Sequence, residues 1–180
     1  MHIREAFLLT TFAELGIAPE TAEALEAVGI TIPFPVQALA IPLALTGTDL
    51  IGQARTGTGK TLAFGAPLLQ RITFADDHRP HALVVVPTRE LAIQVAADLE
   101  VAGKGLGARV MAVYGGRSYE PQVQSLQAGI DVVAGTPGRL LDLARQGHLD
   151  LSHIEGLVLD EADEMRDRGF LPDVEKILSL

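Results

Sequence analysis

The octapeptide Ala54-Arg55-Thr56-Gly57-Thr58-Gly59-Lys60-Thr61 decides how this chain is read. It follows a short apolar run, Asp49-Leu50-Ile51-Gly52, and opens a stretch, Lys60 to Ile72, with helix-compatible residues. An apolar strand, a glycine-rich turn, Lys-Thr and a helix in that order make a phosphate-binding loop. Gly57 and Gly59 let the backbone turn so that its N–H groups face inward. The helix that starts near Lys60 adds the positive end of its dipole. Lys60 is then placed for β- and γ-phosphates, and the Thr61 hydroxyl for Mg²⁺. Ala54 stands where such loops usually carry their first glycine.

Outward from this loop the same kind of run recurs at Leu83–Val86, Val110–Val113, Val132–Ala134 and Leu157–Leu159. With Asp49–Gly52 these read as five strands, apolar on both faces as buried parallel strands are. Helix-compatible stretches separate them: Arg89–Val101, Pro121–Ala128 and Arg139–Gln146. The alternation predicts an α/β fold, a doubly wound, mostly parallel sheet with helices on both faces. Ligands of such sheets bind beyond the carboxyl ends of the strands. Before the loop, Glu14–Val28 has helical spacing with Gly29 as its stop. Ile30–Pro35 must be extended or turned, and Val36–Leu45 is helical with Pro42 marking a kink or a second start.

The last apolar run ends in Asp160-Glu161. Asp160 suits the water shell of Mg²⁺, and Glu161 suits the orientation and deprotonation of an attacking water. A phosphate loop and a carboxylate pair together imply nucleoside triphosphate hydrolysis. GTP is disfavoured, because the guanine-reading N-K-x-D pattern cannot occur in a chain without Asn.

Composition bounds the rest. The 180 residues suffice for one domain. With 48% hydrophobic and 21% charged residues the chain is globular and not disordered. The absence of Cys excludes disulfides, iron–sulfur clusters and a Cys nucleophile. His2, His78, His81, His148 and His153 show no metal-ligand spacing. No apolar run has the length of a membrane span, and Ala6–Leu9 is too short for a secretory core, so a cytoplasmic protein is expected. At a formal charge of −9, any nucleic-acid site must be local and geometric. The lack of Asn and Cys and the excess of Arg over Lys suit a thermophilic and a GC-rich origin equally.

Several further motifs follow in order. Gly29-Ile30-Thr31-Ile32-Pro33-Phe34-Pro35-Val36-Gln37 has Phe12 seventeen positions before it. Pro87-Thr88-Arg89-Glu90-Leu91-Ala92, Gly115-Gly116, Thr136-Pro137-Gly138-Arg139 and Asp160-Glu161-Ala162-Asp163 complete the set. Over essentially its whole length the chain resembles the first RecA-like domain of a DEAD-box RNA helicase. The resemblance implies one domain over 1–180, with a Q-motif segment at about 12–38 and a P-loop core at about 39–180. It implies ATP and Mg²⁺ as cofactors, with Gln37 on the adenine edge and Phe12 packed on the base. A planar amide suits the two-point hydrogen bond that adenine offers. Residues 54–61 would hold the phosphates, and Asp163 would link the nucleotide site to a later motif. Pro87, Thr88, Arg89, Gly115, Gly116, Thr136, Pro137, Gly138 and Arg139 would contact RNA through sugar and phosphate, and so without sequence preference.

The sequence also departs from the family pattern. It stops at Leu180, before the Ser-Ala-Thr motif III and the second RecA-like domain, which by resemblance supplies arginine fingers worth roughly 10³–10⁵ in rate. Weak nucleotide and RNA binding with little turnover is expected of this chain alone, and unpaired sheet edges would favour self-association. Phe34 replaces a small residue, Arg166 and Arg168 stand at positions usually apolar, and Gly65 and Pro67 interrupt the helix after the loop. Two alternatives stay open at this point: an RNA-binding module without catalysis, and a DNA-directed helicase.

Overall fold

The structure is a computed structural model and describes residues 10–55 and 57–180. The chain divides into two compact units, Met1–Arg71 with Asp98–Gly107, and Ile72–Ala97 with Ala108–Leu180.

The first unit contains helices α1 (Pro19–Glu26), α2 (Pro35–Leu45) and α3 (Lys60–Arg71). Helix α4 (Arg89–Gly103) and a 3₁₀ turn (Lys104–Leu106) follow later in sequence, and the residues of α4 divide between the two units. Proline opens α1 and α2 at their first position, where its missing N–H costs nothing. Pro42 and Pro67 lie inside α2 and α3, and neither splits its helix. Gly65 is explained by packing: a Cβ there would strike the Leu99 side chain on α4. Gly105 likewise leaves room for the Glu20 carbonyl of α1.

The second unit is a four-stranded sheet of β1 (Ala82–Val85), β2 (Val110–Val113), β3 (Val132–Gly135) and β4 (Gly156–Leu159) in the order β2-β3-β1-β4. All pairings are parallel, with Ala82 opposite both Val132 and Gly156, and Val110 opposite Val132. The doubly wound α/β expectation is met. Helices α5 (Tyr119–Ala128), α6 (Pro137–Arg145), α7 (Ala162–Asp167) and α8 (Leu171–Leu178) complete this unit. One sheet face, Leu83, Val85, Val113 and Val133, forms its core with Val123, Leu126, Leu140, Leu143, Met165, Val174 and Ile177 of these helices.

Three sequence expectations need correction. Asp49–Gly52 is not a strand: residues 48–55 lie in no regular element, Leu50 is exposed and Ile51 wholly so. A strand exists only through ladder partners, and this run has none in the sheet. Second, β4 is not apolar and buried on both faces. It is the edge of the sheet, and Leu157 and Leu159 are 42% and 39% exposed. Third, the helix read over Glu14–Val28 is confined to Pro19–Glu26, because Gly16 takes φ +95° and Pro19 restarts the chain. Gly29 ends it with φ +83°, as expected. The unusual Arg166 and Arg168 are exposed and ion-paired with Asp167 and Glu164.

Candidate functional site

In the first unit the phosphate loop runs directly into α3. Gly57 and Gly59 adopt φ +80° and +79°, a conformation that suits glycine and no other residue well. The Thr58 hydroxyl closes the turn on the Arg55 carbonyl at 2.6 Å. Lys60 and Thr61 form the first turn of α3 and are half-buried, as is Ala54, while Arg55 is exposed. Thr56 lies outside the described residues.

Gln37 holds this loop. Its side chain is buried, accepting the Phe34 N–H at Oε1 (2.8 Å) and donating from Nε2 to the Gly59 carbonyl (3.0 Å). The first bond closes the start of α2, where an N–H has no helical partner. The second reaches 22 residues along the chain to the loop. A Cβ on Gly59 would strike Gln37 Nε2 and the Phe34 ring, so this glycine is required by contact as well as by φ. The resemblance implies Gln37 on the adenine edge; the structure spends one donor and one acceptor of its amide inside the chain, leaving one of each. Phe12 is only 3% exposed, so packing a base on its ring requires the ring to be uncovered first.

Asp98 on α4 is a residue that sequence reasoning missed. Burial pushes its carboxyl above the ordinary carboxylate value, and a hydrogen bond from the Thr61 hydroxyl partly opposes that rise. Its only sequence signal is a carboxylate beside the buried Val95, Ala96 and Leu99 of the same helix.

In the second unit the strand order does the gathering. Parallel strands present all their carboxyl ends at one edge, so the segments after β2, β3, β1 and β4 stand there in that sequence. They are Gly115–Gly116, Thr136–Arg139, Pro87–Arg89 and Asp160–Glu161. The three segments assigned to RNA thus converge from three adjacent strands, although 52 positions separate Pro87 from Arg139 in sequence. Gly115, Gly116 and Gly138 are exposed, and a Cβ on any of them would meet open space. Pro87 and Pro137 are buried; Thr88 caps the Leu91 N–H at 3.2 Å. Arg89 pairs with Glu90 at 3.3 Å. Arg139 donates from both terminal nitrogens to the Arg117 carbonyl (3.4 and 3.3 Å), with its guanidinium 5.2 Å from the Tyr119 ring centre.

Asp160 is 9% exposed; its N–H extends the ladder to Val85 O at 3.0 Å, and its Oδ1 accepts the Glu161 N–H at 3.0 Å. Glu161 sits at φ +51°, ψ +48°. A left-handed non-glycine residue costs roughly 1–2 kcal/mol and is usually kept where it aims a group. Asp163, in the first turn of α7, is exposed.

The comparisons with known proteins accord with this geometry. Residues 34–180 match the family model described as DEAD/DEAH box helicase. The chain belongs to that family. It is 47% identical over 171 residues to the DEAD-box ATP-dependent RNA helicase CshA of Geobacillus kaustophilus, covering 95% of this chain and 36% of that protein. It is 50% identical over 171 residues to the ATP-dependent RNA helicase DeaD of Escherichia coli K12, covering 94% of this chain and 27% of that one. The chain therefore spans about a third or less of these curated relatives. Among solved structures, a DEAD box protein from the hyperthermophile Methanococcus jannaschii is similar at TM-score 0.87 and 38% identity, over 95% of this chain and 47% of that one. The RNA-helicase Prp28 of Chaetomium thermophilum bound to ADP is similar at TM-score 0.87 and 38% identity, over 94% of this chain and 43% of that one. No helix of the described residues is long and apolar enough to cross a membrane.

Proposed function

We propose that this DEAD-box chain is the ATP-binding and hydrolysing part of an ATP-dependent RNA helicase, acting in the cytoplasm on RNA duplexes. The observation that carries the reading is the Gln37 bond to Gly59, which ties the segment after Gly29 to the phosphate loop. A polyphosphate fits that loop: both glycines hold the turned conformation, and the space a Cβ would take at Gly57 is open. Lys60 and the N–H groups opening α3 would bind the phosphates. Thr61 and Asp160 would hold Mg²⁺, partly through water; the ion would neutralise charge developing on the phosphate oxygens. Glu161, aimed by its left-handed backbone, would accept the proton of the attacking water. Adenine selection is assigned to the remaining amide donor and acceptor of Gln37, and base packing to an uncovered Phe12. RNA would be held by Thr88, Arg89, Arg139 and the open glycine backbones at 115, 116 and 138, all of which address phosphate and sugar.

The reading includes a second RecA-like domain as partner, without which turnover by this chain is slow. Self-association through the β4 edge is part of the same proposal, with Leu157 and Leu159 exposed along it.

A fluorescent-ADP titration with Mg²⁺ tests the reading. Saturable binding that ATP displaces and GTP does not is the expected result. Equal displacement by GTP would overturn the adenine assignment, and no binding by a folded chain would overturn the nucleotide site. Competition between single-stranded RNA and DNA tests the nucleic-acid arm, where loss of the 2′-hydroxyl should weaken binding.

A further inference from the structure

His81 immediately precedes β1, at the opposite end of the strands from the segments described above. It is buried, and both its ring nitrogens face carboxylates. Nδ1 lies 2.8 Å from Glu155, and Nε2 lies 3.3 and 3.2 Å from the two oxygens of Asp77. A neutral imidazole has one N–H and one lone pair, so only the imidazolium can donate to both. Burial alone would disfavour that cation, but the bonds to Glu155 and Asp77 outweigh it and raise the pKa. The arrangement is complete only while His81 carries its second proton.

Loss of that proton does not fall on the two bonds equally. Glu155 is held independently, because its other oxygen accepts the Thr73 N–H (2.9 Å) and the Thr73 hydroxyl (3.2 Å). Asp77 also accepts the Arg79 N–H at 3.1 Å, but that bond closes within its own segment and fastens it to nothing else. A neutral ring that keeps its N–H on Glu155 turns a lone pair toward Asp77, and Asp77 is released. Asp77 belongs to the connector 72–80 between α3 and β1. Residues 77–80 of that connector form one wall of a cavity of about 240 Å³, completed by Leu126 and Gln127 of α5 and by residues 147–150 after α6. Three further charges or titratable groups bear on the connector. Arg79 pairs with Asp150 at 3.4 Å and reaches the His153 ring at 3.2 Å. His153, with its ring centre 6.1 Å from that of His81, must be neutral to accept from Arg79, so its titration acts in the opposite sense. Arg109, bonded to Asp131, attracts Asp76 and Asp77 at longer range. We propose that His81 is a proton-operated latch, which fastens the connector to the amino end of the sheet and, when neutral, frees Asp77 and the cavity wall to which it belongs. The inference is independent of the nucleotide and RNA readings.

The chain has no cysteine, so Asp76→Cys, exposed beside Asp77, takes a single nitroxide label, and Glu175→Cys on α8 takes the control label. Electron spin resonance reads label mobility from about pH 5.5 to about pH 9, and NMR follows the His81 ring over the same range. The immobile fraction at position 76 should fall with a midpoint above about 6.5, coinciding with the His81 titration, while the control stays unchanged. Asp77→Asn offers the ring lone pair an amide donor, so the label should stay immobile throughout. His81→Gln presents one donor and one acceptor, as neutral imidazole does, so the label should be mobile throughout. His153→Phe should leave the transition in place. A label equally mobile at every pH, a transition that persists in Asp77→Asn or vanishes in His153→Phe, or loosening of the control at the same pH would overturn the latch.

Discussion

Replacing Gln37 by Glu separates two roles for this side chain. The substitution keeps shape and the acceptor for the Phe34 N–H, but sets a carboxylate oxygen against the Gly59 carbonyl, now 3.0 Å from an amide nitrogen. Gln37 is 1% exposed, so little water enters to relieve the contact. Phe34 is 54% exposed, so its N–H can rehydrate whatever replaces Gln37, and the Gly59 bond is the one that counts. A buried polar group left unsatisfied costs about 1–3 kcal/mol. If that energy holds the loop in its binding form, nucleotide affinity falls roughly 5- to 150-fold. Isothermal titration with ATP, ADP and inorganic tripolyphosphate is the assay. Because the strut acts on the loop, tripolyphosphate should lose affinity by the same factor as ATP. Unchanged tripolyphosphate binding with weakened ATP would refute the strut and leave Gln37 a reader of the base alone.

The two loop glycines should part company. Gly57→Ala meets open space and suffers only the backbone strain of φ +80°, about 1 kcal/mol, whereas Gly59→Ala also drives a Cβ into Gln37 and Phe34 and should abolish ADP binding by titration. His81 is buried between Glu155 (2.8 Å) and Asp77 (3.2 Å); burial alone would lower its pKa, but hydrogen bonds to the two carboxylates outweigh it and raise the value. Its stabilisation is therefore complete below the unfolded value of about 6.5 and fades as pH climbs through the raised folded value. Melting temperature should fall over that interval, and His81→Gln should flatten the profile. Asp131 is buried and bonds the Arg109 guanidinium twice (2.8 and 3.0 Å) and its backbone N–H once (2.8 Å). Asp131→Asn should cost about 2–4 kcal/mol in urea unfolding, less than a fully buried pair, because Arg109 is 37% exposed and rehydrates.

How much of this was legible beforehand depended on the range of the interaction. Helix α6 and strands β1, β2 and β3 were read within a few residues, because each is marked by its own apolar pattern and by a proline or glycine at its border. Positive φ at Gly29, Gly57, Gly59 and Gly116 follows from the residue type and the turn it must make. The run Leu50-Ile51 shows the limit. Its pattern matches that of Leu83-Val84, yet one is exposed and the other is the middle of a sheet, since only neighbouring strands can supply a ladder.

From sequence alone came the α/β class, the phosphate loop and the motif set that marks the DEAD-box family; all three are written in local residue types and spacings. Tertiary structure alone decided the strand order that brings residues 87–89, 115–116 and 136–139 to one edge. It decided the clamp of Gln37 on Gly59 and of Asp77 and Glu155 on His81. The physical reason is common to all of these. A hydrogen bond or an ion pair depends on which groups folding sets within about 3 Å of each other, and a charge remains available only where folding sets no counter-charge beside it.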